Sequence, residues 1–321
     1  MKDLIEFGDC REIMRQWARD GVKAQTCVTS PPYFGLRDYG HDGQIGLEQT
    51  PDEYIAAMVD VFRCVRDVLT DDGTVWLNVG DSYFSTVKGT GGSGKSKLGP
   101  NRDLQNIQFQ KMNPIRINSG RSGCKPKDLI GIPWMLAFAL RADGWYLRQD
   151  IIWHKPNPMP EPVRDRCTKA HEYIFLLSKS QKYYFDGDSI KEPSVGRPSG
   201  NKQRKAAGAR GIPDADPSNV NGGVASSVPW DGRENKNKRD VWSVSVKGYK
   251  GAHFAVFPPE LITPCVLAGC PEGGVVLDPF MGSGTTAMVA KQSGRHYLGC
   301  ELNPEYQSLQ KERLDEIGRL F

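Results

Sequence analysis

The sequence predicts an α/β fold in which a mostly parallel sheet carries helices on both faces, and three observations support this. Strand-like and helix-like patterns alternate along the 321 residues. The runs 74–79 and 172–177 are largely apolar, as expected of strands buried within a sheet. The range 53–69 instead places its apolar residues with a helical period. Repeated strand–helix units of this kind link neighbouring parallel strands through crossover helices.

The limits of each predicted element follow from signals at its ends. The helix over 53–69 is preceded by Thr50-Pro51, which starts a helix, and is followed by Asp71-Asp72-Gly73, which ends it. The other predicted helices cover 129–141, 285–292 and 304–319. The predicted strands cover 25–30, 74–79, 147–153, 172–177, 274–277 and 297–301.

Composition narrows the class of protein. Hydrophobic residues make up 38% and charged residues 25% of the chain, which excludes a fully disordered or fibrous protein. No apolar run approaches the roughly 20 residues of a membrane span, so we expect no membrane association. The N-terminal stretch lacks a signal-peptide core, and the eight cysteines show no C-x-x-C spacing. We therefore expect a cytoplasmic protein with reduced thiols and no metal site.

Positive charge is concentrated in two segments, although the net charge of the chain is only +4. Residues 88–127 hold nine Lys or Arg and one acid, and residues 191–250 hold twelve Lys or Arg and six acids. Both segments are rich in Gly, Pro, Ser and Asn and lack an apolar period, so they are predicted to be long loops. Two basic loops on an otherwise acidic chain indicate a polyanionic partner, with two solvated loops as the alternative.

The C-terminal part of the chain carries the features of a nucleoside-cofactor site. Gly282-x-Gly284 follows a predicted strand and precedes a predicted helix, so the backbone and the helix N-terminus can approach a ligand closely. Glu301, 23 residues beyond Asp278, ends the next strand, where its carboxylate can accept hydrogen bonds from ribose hydroxyls. Asp278 and Phe280 beside the turn suit a cationic cofactor such as S-adenosyl-L-methionine better than the pyrophosphate of NAD.

A second candidate site follows the first predicted strand. In Ser30-Pro31-Pro32-Tyr33 the prolines hold the backbone extended, so that a hydroxyl, a carbonyl and an aromatic ring are offered at the edge of the sheet. The two oxygens can accept the N–H bonds of an aromatic amine while the ring stacks on its face. The alternative is a proline-stiffened strand exit with a packed tyrosine.

Taken together, the two motifs resemble those of the amino-methylating DNA methyltransferases, which modify the exocyclic nitrogen of cytosine or adenine. The order, with S-P-P-Y first and D-P-F-x-G-x-G last, is similar to that of the circularly permuted beta group of this family. The resemblance covers nearly the whole chain. It includes the stretches 8–10, 78–81, 143–148, 153–158, 171–172 and 252–258.

This resemblance implies a Rossmann-like, S-adenosyl-L-methionine-dependent methyltransferase sheet in circularly permuted order, with an irregular basic insertion. It implies that Ser30 and the Pro31 carbonyl accept hydrogen bonds from the target amine, and that Tyr33, after Pro32, stacks on the base. The implied cofactor-binding residues are Asp9, Phe254, Pro258, Asp278, Phe280, Gly282, Gly284, Thr285 and Glu301.

The resemblance also implies a division of the chain and a set of partners. Residues 1–190 and 251–321 would form the catalytic domain, and 191–250 a target recognition region for double-stranded DNA. Candidate DNA contacts in that region are Lys202, Arg204, Lys205, Arg210, Lys236, Lys238 and Arg239. A bacterial, archaeal or phage-encoded enzyme of this kind is compatible with a homodimer and with a cognate restriction nuclease as partner.

The expected chemistry is direct in-line methyl transfer to a base extruded from the duplex, with no cysteine nucleophile. In the family that this chain resembles, a serine at position 30 is typical of enzymes that modify the N4 amine of cytosine, and the N6 amine of adenine is the alternative. An NAD-dependent oxidoreductase is a remote alternative, because it would use the same glycine turn but would leave S-P-P-Y and the basic loops unexplained.

Overall fold

The computed structural model describes residues 2–36, 38, 40–41, 43–84, 123–194, 235–246 and 257–318. Its strands are β1 (Leu4–Phe7), β2 (Ala24–Thr29), β3 (Leu69–Val79), β4 (Tyr146–His154), β5 (His171–Ser178), β6 (Glu192–Pro193), β7 (Asn235–Lys236), β8 (Val241–Ser243), β9 (Val275–Asp278) and β10 (His296–Glu301). Its α-helices are α1 (Cys10–Arg19), α2 (Pro51–Val68), α3 (Ile132–Ala142), α4 (Pro259–Gly269), α5 (Thr285–Gln292) and α6 (Gln307–Gly318).

Eight of the strands form one sheet in the order β1-β10-β9-β2-β3-β5-β4-β8. All neighbours are parallel except where β5 pairs with β3 and with β4. Strand β5 is therefore the single reversed strand of this sheet. Strands β6 and β7 form a separate antiparallel pair. The predicted α/β class with a mostly parallel sheet is confirmed.

Helices cover both faces of the sheet because side chains alternate along its buried strands. In β2, Cys27 belongs to the core that packs against α1, α2 and α3, whereas its neighbour Val28 belongs to the core that packs against α4 and α5. In β3, Leu77 and Trp76 divide between the same two cores. Since each face carries its own hydrophobic core, the strands are apolar on both sides, as parallel strands usually are.

Most predicted elements are present, with shifts at their ends. Helix α3 begins later than the predicted residue 129, because Leu129 instead forms an isolated bridge with Tyr83. The predicted helix over 304–319 is divided into a 3-10 turn, Pro304–Tyr306, followed by α6. Strand β3 begins earlier than predicted, at Leu69. Strand β1 and helices α1 and α4 were not predicted. Within the described ranges, no helix combines the length and apolar character needed to cross a membrane.

The two candidate motifs lie at the centre of the sheet, on adjacent strands. Strands β9 and β2 are parallel neighbours, with Thr26 opposite Val276 and Cys27 opposite Leu277. Along the chain, β9 is followed by β10 on one side of this pair, whereas β2 is followed by β3 on the other side. The strand order therefore reverses between β9 and β2. Ligands of open α/β sheets bind at such a reversal of strand order, beyond the carboxyl ends of the strands. This arrangement brings residues 30–33 and 278–284 to one edge.

The strand β8 lies inside the range predicted as a target recognition region. It pairs with β4 at the edge of the main sheet, and Trp242 is buried in the core beside α4. The Trp242 indole also donates a hydrogen bond to the Arg239 carbonyl at 2.6 Å. This part of the predicted region is thus continuous with the sheet, and residues 195–234 of it lie outside the described residues.

Candidate active site

A cavity of about 170 Å³ lies at the carboxyl ends of β1, β2, β9 and β10. These four strands are parallel to one another, so the loops that follow them meet at one edge of the sheet. The predicted residues that line the cavity are Asp9, Ser30, Pro31, Pro32, Tyr33, Asp278, Phe280, Gly282, Thr285 and Glu301. The two motifs recognised at distant positions in the sequence therefore share one cavity.

The strand-exit corner is held by hydrogen bonds to its backbone and to its tyrosine. The buried Tyr54 hydroxyl of α2 donates to the Pro32 carbonyl at 2.9 Å. Pro31 also lines the cavity. Within the described residues, its carbonyl accepts no hydrogen bond. The Tyr33 hydroxyl donates to Glu172 Oε2 at 2.7 Å. Burial, followed by the nearby Glu172 charge, raises the pKa of Tyr33 well above its usual value, so the phenol stays protonated.

Asp278 joins the two motifs directly. Its carboxylate, 1% exposed, accepts hydrogen bonds from the Thr29 hydroxyl at 2.6 Å and the Thr286 hydroxyl at 2.6 Å. The backbone N–H of Phe280 donates to the same carboxylate at 3.0 Å. Burial raises the pKa of Asp278, these three donors offset part of the rise, and the net value is about 6. The carboxylate is therefore mostly ionised at neutral pH and its position is set by β2, β9 and α5.

Glu301 holds the glycine turn from the opposite side of the cavity. Its Oε2 accepts the backbone N–H of Gly282 at 2.7 Å, and its Oε1 accepts that of Asn303 at 2.8 Å. Gly282 has φ = 54°, a conformation that glycine adopts without steric cost. Burial raises the pKa of Glu301. Each carboxylate oxygen keeps lone pairs beyond the one already engaged, so both can still accept from a ligand's hydroxyls.

Helix α6 supports the glycine turn from behind. Gln310 donates to the Gly282 carbonyl at 2.7 Å, and Arg313 donates to the Thr285 hydroxyl. Gly284, at φ = 84°, precedes α5 and lies against Gln310. It was predicted to bind cofactor, but within the described residues it is not among those that line the cavity. Its conformation and packing indicate that it shapes the turn.

Of the remaining predicted cofactor residues, only Asp9 is among the described residues that line the cavity. Asp9 is the N-cap of α1 and accepts from the Arg11 backbone N–H at 2.8 Å. The Arg11 guanidinium, hydrogen-bonded to Asp9, holds the pKa of that carboxyl below its usual value. Pro258 precedes α4, but it is its neighbour Phe257 that lines the cavity. Phe254 lies outside the described residues.

Several cavity residues were missed by sequence reasoning. They come mainly from irregular loops, which carry no periodic signal, and they include Leu36, His41, Gln44, Ile45, Asn303 and Tyr306. Asn303 could have been found, because it follows the strand-ending Glu301 by two residues. For the other positions, only the three-dimensional path of the loops shows that they face the cavity.

The predicted DNA contacts divide into those that are described and those that are not. Lys236 and Arg239 both form ion pairs with Glu192, at 3.3 and 2.5 Å. The Lys238 ammonium lies 4.9 Å from the centre of the Trp242 ring. Lys236 thus lies in β7, whereas Lys238 and Arg239 lie between β7 and β8, the edge strand of the main sheet. Lys202, Arg204, Lys205 and Arg210 lie outside the described residues.

The mostly parallel sheet and the cavity, with two acids beside a glycine turn and a serine and two prolines on an adjacent corner, define an S-adenosyl-L-methionine-dependent methyltransferase. Residues 24–312 match the family described as DNA methylase. The chain therefore belongs to this family of amino-methylating DNA methyltransferases, and S-adenosyl-L-methionine is its cofactor. The family assignment excludes the NAD-dependent oxidoreductase that the glycine turn had left open.

Individual relatives agree with this assignment. The chain is 47% identical over 310 residues to type II methyltransferase M.SmaI of Serratia marcescens, covering 97% of this chain and 90% of that protein. It is 43% identical to type II methyltransferase M.Cfr9I of Citrobacter freundii, covering 96% of this chain and 86% of that protein.

Solved structures show the same fold at lower identity. The PvuII DNA methyltransferase (cytosine-N4-specific) superimposes with a TM-score of 0.59 at 16% identity, covering 100% of this chain and 91% of that one. The M1.HpyAVI–SAM complex superimposes with a TM-score of 0.52 at 15% identity, covering 97% of this chain and 98% of that one.

Proposed function

We propose that this methyltransferase modifies the exocyclic N4 amine of cytosine at a specific sequence in double-stranded DNA. The observation that carries the proposal is the cavity that Ser30–Tyr33 share with Asp278, the glycine turn that follows it, and Glu301. One side of this cavity offers neutral oxygens and an aromatic ring, which suit an aromatic amine. The other side offers carboxylates and a glycine turn whose backbone a ligand can approach closely, and both suit a cationic nucleoside cofactor.

The residues of the cavity have distinct tasks in the proposed reaction. When bound, S-adenosyl-L-methionine supplies a methyl group on a positively charged sulfur. Ser30 and the Pro31 carbonyl accept the two N–H bonds of the amine, which localises the nitrogen lone pair and directs it at that methyl. Tyr33 holds the plane of the base. In direct transfer the nitrogen–methyl bond would form as the sulfur–methyl bond breaks, leaving a neutral thioether, and the amine would lose one proton. No covalent bond forms between enzyme and base, and much of the acceleration comes from positioning two reactants.

The target base has to leave the duplex to reach this corner. An amine stacked inside DNA cannot contact Ser30 while its ring lies against Tyr33, so the nucleotide is extruded at a cost of roughly a few kcal/mol. Basic residues of the 191–250 region, including Lys236, Lys238 and Arg239, are proposed to contact the DNA backbone and thereby offset this cost. For phosphates to reach Lys236 and Arg239, they must compete with Glu192.

Cytosine is favoured over adenine by Ser30 and by the cytosine-N4 specificity in the name of the PvuII enzyme, whose fold this chain shares. Adenine N6 is the alternative, because the same two acceptors can hold either amine. The type II methyltransferase relatives support a role beside a cognate restriction nuclease in a bacterial cytoplasm. A homodimer is a further proposal from the family resemblance.

Mass spectrometry of nucleosides tests the target. DNA made by polymerase chain reaction, which carries no methylation, is incubated with the enzyme and S-adenosyl-L-methionine and digested to nucleosides. We expect N4-methyldeoxycytidine. N6-methyldeoxyadenosine would establish the alternative target, and 5-methyldeoxycytidine would contradict the direct amine mechanism.

Binding of S-adenosyl-L-methionine is expected to weaken as the pH falls through about 6. A cationic ligand is bound better by ionised Asp278, whose pKa lies near 6, so protonation removes the attraction. At pH 5 we expect affinity about five- to tenfold lower than at pH 7.5. Isothermal titration calorimetry at both values measures this.

The control for this pH dependence is Asp278→Asn, which removes the titrating group and keeps its size. Its affinity should be lower at pH 7.5 and should change less with pH, with the remaining change attributable to other acids such as Glu301. An equal pH dependence in both proteins would show that Asp278 is not responsible.

A further inference from the structure

Beside the catalytic corner lies a hydrogen-bonded ion pair that the proposed mechanism does not yet use. The Tyr33 hydroxyl donates to Glu172 Oε2 at 2.7 Å, and Glu172 Oε1 forms an ion pair with the Lys155 ammonium. The Glu172 and Lys155 side chains are only 15% and 18% exposed. The ammonium also lies 4.2 Å from the centre of the Trp153 ring, which is within the distance of a cation–π contact.

The reversed strand explains how these groups meet. Glu172 is near the start of β5, and it pairs with Trp153 near the end of β4. Because β5 is antiparallel to its neighbours, its beginning lies at the edge where β3 and β4 end. Strand β5 thus places a carboxylate at the catalytic edge of the sheet. Among the described residues, no residue of β5 lines the cavity itself.

The tyrosine ring is also restrained from behind. A Cβ placed on Gly80, just after β3, would lie 2.7 Å from Tyr33 Cε2 and 3.3 Å from Glu172 Cδ. The ring and the carboxylate therefore both pack against bare backbone. The Tyr33 ring is thus restrained along its edge by Gly80 and at its hydroxyl, which also lies 3.4 Å from Asn78 Oδ1.

Stability is a poor explanation for the ion pair. Removing two charges from water opposes most of their mutual attraction, so a largely buried pair adds little net stability compared with apolar residues. What the pair does provide is a carboxylate in one fixed place. Lys155 holds Glu172, and Glu172 accepts the hydroxyl of the residue assigned to stack on the base.

We propose that Glu172 and Lys155 are positioning residues for methyl transfer, which hold the Tyr33 ring through its hydroxyl at the angle needed to stack on the target base. The inference rests on the proposed function, in which Tyr33 contacts the base. Neither residue contacts the amine or the cofactor in this proposal. Their effect should therefore appear in kcat and depend on the Tyr33 hydroxyl.

A double-mutant cycle tests the proposal. Methyl incorporation into unmethylated DNA is measured for the wild type, Tyr33→Phe, Glu172→Ala and the double variant. We expect each single variant to lower kcat about tenfold with KM for S-adenosyl-L-methionine unchanged, and the double variant to fall within about twofold of the worse single variant. A double variant near the product of the two losses would show that Glu172 does not act through the Tyr33 hydroxyl and would overturn the proposal.

Conservative replacement separates positioning from a general loss of structure. Glu172→Gln keeps an oxygen that can accept from Tyr33, so we expect it to recover kcat to within about threefold of the wild type. Glutamine has nearly the shape of glutamate, so we expect this variant to fold, and it can be compared with Tyr33→Phe if Glu172→Ala does not fold. A Glu172→Gln enzyme as slow as Tyr33→Phe would contradict the proposal, since it retains the acceptor.

The control is Glu161→Ala, which breaks another partly buried ion pair, in the segment between β4 and β5. Glu161 bonds Arg166 at 2.5 Å, with side-chain exposures of 31% and 27%. We expect its kcat within twofold of the wild type, and an equal loss at both sites would indicate a general effect of charge removal. If the wild type methylates no DNA, the proposed function itself fails; if the wild type is active and Glu172→Ala matches it, only the positioning proposal fails.

Discussion

Replacing Tyr33 by alanine is expected to lower kcat for DNA methylation at least about a hundredfold. Stacking of a base on an aromatic ring is worth roughly 1–3 kcal/mol, and a misplacement of about 1 Å between reactants costs a further factor of about a hundred. Asp278 and Glu301 are the residues proposed to bind the cofactor, so we expect the Kd of S-adenosyl-L-methionine to change less than threefold. Single-turnover methylation and calorimetry measure the two quantities separately.

The control for this prediction is Tyr146→Ala, which removes a tyrosine of β4 that is 44% exposed. It should retain the wild-type rate. A Tyr33→Ala enzyme with full activity would contradict the assigned catalytic corner. A parallel loss of cofactor binding would show instead that Tyr33 supports the whole cavity.

Both halves of the site could be predicted because each is encoded locally. S-P-P-Y and D-P-F-x-G-x-G each combine a strand end with residues whose backbone preferences are strong, and such signals survive in a single sequence. Their meeting also follows from the fold class, since adjacent parallel strands end at one edge. Thr29 and Asp278 are 249 positions apart in the sequence, and the hydrogen bond between them shows that the two strand ends meet.

The support of the site could not be predicted in the same way. Glu172 reaches the catalytic edge only because β5 is reversed, and strand direction leaves no mark in the local pattern. Gln310 and Arg313 bear on the glycine turn only through the packing of α6. In each case the contact depends on the tertiary structure. The residues belong to no recognisable sequence motif, so their role could not be predicted from the sequence.

Short or atypical elements were missed for a different reason. Strand β1 has four half-buried residues, too few to establish an alternating pattern. Helix α4 contains Pro264, which reads as a helix breaker in sequence but is accommodated within the helix in the structure. Tertiary burial of Leu261 and Cys265 outweighs this local penalty.

Replacing Glu301 by alanine is expected to weaken S-adenosyl-L-methionine binding at least about a hundredfold. Two hydrogen bonds to a charged carboxylate, each worth about 1.5–3 kcal/mol, would be lost from the ribose hydroxyls, and a hundredfold change requires about 2.7 kcal/mol. The backbone N–H groups of Gly282 and Asn303 would lose their acceptor as well, so the turn itself would be less well held. Calorimetry with S-adenosyl-L-methionine at pH 7.5 measures the loss.

Two further variants make this result interpretable. Glu305→Ala removes an exposed carboxylate four residues away and should leave the Kd unchanged. Glu301→Gln retains one acceptor oxygen and should bind with intermediate affinity, because its amide cannot accept from Gly282 and Asn303 with both ends. If Glu301→Ala bound the cofactor within threefold of the wild type, the ribose would have to lie elsewhere, and the assignment of the cofactor half of the cavity would be wrong.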